Sequence, residues 1–82
     1  MPPEDLLEAV RRRPFVPFRL CLTDGQSYEI RHPELVLPGR RTTTVGLPSD
    51  ADVPLYEHTV VVDLIHIVRL EPIDGQIQRQ PR

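Results

Sequence analysis

The stretch Phe18-Arg19-Leu20-Cys21-Leu22-Thr23-Asp24-Gly25-Gln26-Ser27-Tyr28-Glu29-Ile30-Arg31 constrains the fold more than any other. Phe18, Leu20 and Leu22 alternate with Arg19, Cys21 and Thr23, the period-two pattern of a strand with one buried face. Tyr28 and Ile30 alternate with Glu29 and Arg31 beyond Asp24-Gly25, a strong hairpin signal. Two registers compete. A two-residue loop at Asp24-Gly25 sets Leu22 against Ser27, Leu20 against Glu29 and Phe18 against Arg31, and a buried face does not accept those pairs. A three-residue loop, Thr23-Asp24-Gly25, sets Leu20 against Tyr28, Phe18 against Ile30 and Arg19 against Glu29. That gives one apolar face and one face of matched charges. It also demands a left-handed Gly25 at a bulge, which adds twist. An exposed cross-strand ion pair contributes only about 0.2–1 kcal/mol, so the apolar face decides the register. The expectation is the three-residue loop.

The other segments are shorter. Met1 to Arg13 reads as a helix, with Pro2 and Pro3 at its start, Glu4 and Asp5 in the first turn and Arg11 to Arg13 at its end. Leu6, Leu7 and Val10 form a narrow apolar stripe, and Glu8 stands four residues before Arg12. Such a short helix must dock that stripe to persist. His32-Pro33 ends the second strand. Leu37-Pro38-Gly39-Arg40 fits a type II turn. Arg41 to Leu47 is a third strand, and residues from Tyr56 or His58 to Val62 are a fourth. Asp63 to His66 is a 3₁₀ turn, and Ile67 to Glu71 is the fifth strand.

The sequence therefore predicts a mainly β, α+β chain. A short N-terminal helix precedes a five-stranded, strongly bent antiparallel sheet or small β-barrel, with a 3₁₀ turn before the last strand. Residues 1–73 are expected to form one domain, and residues 74–82 a flexible tail. The core must be built mainly from Leu, Val and Ile, because the 82 residues include two Phe, two Tyr and no Trp.

Two resemblances follow from quoted residues. Arg-Arg-Pro-Phe-Val-Pro-Phe-Arg-Leu (12–20), Tyr-Glu-Ile-Arg-His-Pro-Glu (28–34) and Val-Asp-Leu-Ile-His-Ile-Val-Arg-Leu-Glu-Pro (62–72) resemble a family of short uncharacterised bacterial proteins of unknown function. The helix ahead of Leu-Thr-Asp-Gly-Gln-Ser-Tyr and the closing Ile-Val-Arg-Leu-Glu-Pro resemble the architecture of Sm-like small β-barrels. The middle loop has no Asp-x-Asn pair. Asp63-Leu64-Ile65-His66 stands where an Arg-Gly or Lys-Gly turn would precede the last strand. Fold resemblance alone carries no function.

The chemistry-bearing residues are sparse. His32, His58, His66 and Cys21 lack the spacing of a zinc site, so no metal and no cofactor is expected. No glycine-rich loop opens a helix. Cys21 falls on the arginine face of its strand, the only setting here for an activated thiol, but no catalytic set accompanies it. An enzyme is not the expectation. A net charge of −2 gives no general pull toward nucleic acid or an anionic membrane. All ten basic residues are arginine, and Arg31, Arg40 and Arg41 are the candidates for a weak nucleic-acid contact. A single cysteine and the acidic Pro2-Pro3-Glu4-Asp5 start point to a cytoplasmic setting.

The stronger expectation is protein–protein contact or self-association through sheet edges. Thr42 to Val45 and Val60 to Val62 are the uncharged, β-prone runs, so Thr42, Thr44, Val60, Val61 and Val62 are the candidate interface residues. Three consecutive valines cannot all face one core.

Overall fold

A computed structural model describes residues 1–73, so the tail expected at 74–82 lies outside the described residues. The elements in order are a helix α1 (Pro3–Arg11) and strands β1 (Phe18–Leu22), β2 (Ser27–Ile30), β3 (Val36–Pro38), β4 (Thr42–Leu47), β5 (His58–Asp63) and β6 (Ile67–Pro72). Single 3₁₀ turns at Pro33–Leu35 and Leu64–His66 precede β3 and β6. No described helix is long and apolar enough to cross a membrane.

The hairpin takes the register its apolar face requires. Phe18 pairs with Ile30, Arg19 with Glu29 and Leu20 with Tyr28. The Gly25 amide donates to the Leu22 carbonyl at 3.1 Å, and the Leu22 amide to the Gln26 carbonyl at 2.9 Å, which closes a three-residue loop. The Asp24 carboxylate accepts from the Gln26 amide at 2.9 Å and braces the turn. Gly25 has φ +89°, and a Cβ there would touch nothing within 4 Å. Gly25→Ala therefore costs backbone strain alone, about 1–2 kcal/mol. A lowered urea midpoint with an unchanged slope is the expected readout.

The strands form two three-stranded antiparallel sheets, ordered β2-β1-β6 and β3-β4-β5. This corrects the expectation of five strands in one strongly bent sheet or small barrel: the described residues form six strands, and no ladder among them joins the two sheets. The cause lies at His32-Pro33. Pro33 holds His32 in extended backbone and opens the 3₁₀ turn that carries the chain from one sheet to the other. The Val36 amide donates to the Pro33 carbonyl, and β3 begins there. β3 has only three residues, without a readable alternation, and it exists by pairing with β4.

The type II turn expected at Leu37–Arg40 is also corrected, because Gly25 is the only described residue with a positive φ. Arg40 and Arg41 make the reversal instead. The Gly39 amide donates to the Thr42 carbonyl at 2.8 Å. A Cβ on Gly39 would lie 2.7 Å from that carbonyl oxygen, so close backbone approach demands the glycine.

One core serves both sheets. Phe18, Leu20, Ile30 and Ile67 from the first meet Val36, Val45 and Val62 from the second, with Leu6 of α1 and Leu64 of the second 3₁₀ turn. Leu6 is fully buried, which anchors the apolar stripe of a helix too short to persist alone. The helix stops at Arg11, so Arg12 is its C-cap, outside the helical repeat that the Glu8–Arg12 spacing requires. Arg13 instead donates to the Val10 carbonyl at 3.0 Å and the Arg12 carbonyl at 2.8 Å, at the helix C-terminus.

Candidate functional site

Two sheets have four edges: β2, β6, β3 and β5. An exposed edge presents unpaired amides and carbonyls, and folded proteins blunt such edges by proline, bulges or charge. Which residues aim their backbone groups outward follows from the antiparallel alternation of hydrogen-bonded and non-bonded pairs.

On β2 the bonded pair Leu22–Gln26 fixes the alternation, so Ser27 and Glu29 point outward. Charge covers this edge. Glu29 accepts from Arg19 at 3.3 Å and from Arg31 at 3.2 Å. On β6 the Ile73 amide donates to the Pro17 carbonyl at 3.1 Å, which leaves Leu70 and Pro72 outward. Pro72 has no amide, and the register shift between Cys21 and Leu22 bulges the strand at Val68. On β3 the Gly39–Thr42 bond leaves Val36 and Pro38 outward. Val36 has already spent its amide on Pro33, and Pro38 has none.

β5 has neither proline nor bulge, and its charge is confined to Asp63 at its end. The Leu64 amide donates to the Arg41 carbonyl at 2.8 Å, in line with the β4–β5 register. Alternation then directs Val60 and Val62 into the ladder with β4, and Thr59, Val61 and Asp63 to the free side. The side chains divide in the same way. Val62 is buried, Val60 is half-buried and Val61 is 67% exposed. Val61 is thus the one of the three valines that faces away from the core.

Val61 does not stand alone. It pairs with Thr44, which pairs with Leu37, itself 68% exposed, so the three make a row across the outer face of the second sheet. Ile65 in the following 3₁₀ turn is exposed as well. Beside the Asp63 end of β5 an open cleft of about 410 Å³ runs to the β1–β2 loop, lined by Thr23, Asp24, Gln26, Val61 and His66 among others. The Thr23 amide donates to the His66 carbonyl at 2.8 Å, so the floor of this cleft is tied to the hairpin.

The second expected edge is corrected. Thr42 to Val45 lies in β4, the middle strand, paired on both sides. Thr44 still contributes to the outer face, whereas Thr42 pairs with Asp63 at the end of the ladder. Thr43 is fully buried, and its hydroxyl donates to the Leu37 carbonyl at 3.1 Å.

The three candidate arginines do not share one place. Arg31 is at the end of the first sheet, paired with Glu29. Arg40 and Arg41 form the reversal between β3 and β4, and neither has an ion-pair partner among the described residues. They line an open cleft of about 550 Å³ with Met1, Pro3, Asp63, Leu64 and Ile65.

On the outer face of the first sheet Arg19 stands between Glu29 and Glu71, which pair with it from either side. Glu71 also accepts a hydrogen bond from Arg69, and that bond holds its carboxyl below the usual carboxylate range. The same bond raises the Arg69 guanidinium further above its ordinary value. Both groups are exposed, so salt screens the pair and its effect on folding is small. Cys21 lies on this face as expected, between Ser27 and Arg69, but it is 7% exposed. Its Sγ lies 3.8 Å from the Arg19 carbonyl oxygen. A thiol covered in this way is poorly placed to meet a substrate.

Among the described residues no three His, Cys, Asp or Glu side chains are grouped to hold a metal ion. His32 Nε2 lies 3.0 Å from the Ala51 carbonyl, and His66 Nδ1 lies 3.4 Å from the Thr23 hydroxyl, so both imidazoles tie segments together. Sequence reasoning reached Val61 but missed Leu37, Thr59 and Asp63. Which alternate residues face outward is fixed by the pairing of β5 with β4, and no local signal carries that. The resemblances to a short bacterial family and to Sm-like barrels rest on the quoted residues alone, because no family model, curated protein or solved structure matches this chain.

Proposed function

We propose that this chain is a non-enzymatic β module that works by accepting another β-strand along β5, from a second copy or from a protein partner. One observation carries the reading. Among the described residues, β5 alone of the four sheet edges has no proline or bulge and confines its charge to the terminal Asp63, and it sets an exposed valine at its middle. Strand addition draws its affinity from backbone hydrogen bonds and its selectivity from alternate side chains. The outward Thr59, Val61 and Asp63 supply both. The chain's order, with a 3₁₀ turn before a last strand that returns to the first, accords with an open form of the Sm-like plan.

Val61→Lys tests the reading. A lysine on an edge strand is a common guard against pairing. The variant is expected to keep its fold by circular dichroism and to lose at least tenfold in association, measured by sedimentation over a concentration series or by partner capture. Unchanged association would overturn the reading. A second reading, contact with nucleic acid through Arg40 and Arg41, is favoured by their position at the β3–β4 reversal without an ion-pair partner among the described residues. It requires binding to single-stranded RNA or DNA at low salt that weakens as salt rises.

A further inference from the structure

We infer that the strand accepted on β5 is β5 of a second copy, antiparallel about a two-fold axis through Val61. This rests on the strand-accepting reading above and adds the occupant and its register. A two-fold pair of edges must place outward residues opposite outward residues, because only these have free backbone groups. Thr59, Val61 and Asp63 are outward, and centres at Val60, Val61 and Val62 are the ones that bring two or more of them opposite one another.

Centring on Val60 sets Thr59 against Val61 and carries Asp63 past the start of the other β5, opposite the bend at Glu57, whose amide is already donated to the Leu47 carbonyl at 3.0 Å. Centring on Val62 sets Val61 against Asp63, which presses a charged group on the exposed valine. Centring on Val61 sets Val61 against Val61, Val60 against Val62 and Thr59 against Asp63. Each threonine hydroxyl then has a carboxylate to donate to, and the valines meet one another. The segment Thr59-Val60-Val61-Val62-Asp63 is complementary to itself in this register alone.

The surroundings agree. The outer-face row Leu37–Thr44–Val61 would continue into Val61–Thr44–Leu37 of the second copy, and one sheet of six strands would result. The cleft between Asp63 and the β1–β2 loop leaves room for the far end of the incoming strand.

Disulfide trapping in the full chain tests the register. Residues opposed in a bonded antiparallel pair have Cα atoms about 5.5 Å apart, within disulfide reach. Val61→Cys is expected to give a reducible dimer under mild oxidation. So is the double variant Thr59→Cys/Asp63→Cys, whereas Thr59→Cys alone is expected to give none. The unaltered chain serves as control, since its one cysteine is buried. Trapping by Thr59→Cys/Val61→Cys but not by Val61→Cys alone would show pairing centred on Val60. That outcome would overturn this register and leave the strand-accepting reading intact. A monomer that captures a partner strand, and loses it with Val61→Lys, would overturn the self-pairing alone. A chain that stays monomeric and captures no strand would overturn both.

Discussion

Leu20→Ala is expected to remove a large share of this protein's stability. Leu20 is fully buried in β1, the middle strand of the first sheet, between Tyr28 on one side and Leu70 on the other. Truncating a buried leucine to alanine costs about 2–5 kcal/mol, through lost transfer energy and the cavity left behind. Native stability runs at about 0.05–0.15 kcal/mol per residue, or roughly 4–12 kcal/mol at this length. Leu37→Ala makes the comparison. Leu37 is 68% exposed on the outer face, and its truncation should shift the urea midpoint little. Chemical denaturation of the two variants side by side reads the difference. Equal losses would mean that the core is not where Leu20, Leu6 and Val45 place it.

Val62→Pro and Val61→Pro should differ as sharply, although they are neighbours. The Val62 amide belongs to the ladder with β4, and its side chain is buried. Proline there removes a ladder bond and strands the Thr43 carbonyl, at about 1–3 kcal/mol for the unsatisfied group, before any loss of packing. The Val61 amide points to the free side, where proline is tolerated on an edge strand. Val61→Pro should therefore stay folded by circular dichroism and lose its capacity to accept a strand. If Val61→Pro unfolds the chain and Val62→Pro does not, the parity of β5 is reversed and the outward set is wrong.

The hairpin register was decided locally. Phe18, Leu20, Tyr28 and Ile30 can share a face in only one alignment, and Asp24-Gly25 supplies the turn that alignment needs. Pairs a few residues apart in sequence, with a buried face to satisfy, leave the chain little choice. The helix at Leu6 and the 3₁₀ turn before β6 were legible for the same reason, since capping and periodicity act within a turn or two.

The strand β3 was not legible. Val36–Pro38 is too short to show a period, and its conformation is imposed by β4. The turn at Pro38-Gly39 misled because its glycine answers to the Thr42 carbonyl and not to a positive φ.

The candidate site divides along the same line. Three consecutive valines at 60–62 told the sequence reader that one must face outward, as strand alternation requires. The sequence alone determined the hairpin, its charged outer face and that surplus valine. Tertiary structure decided which runs lie at an edge: β4 is enclosed and β5 is open, although Thr42–Val45 and Val60–Val62 look alike as strings. Edge or centre depends on which neighbour a strand finds, and that is settled by contacts far apart along the chain.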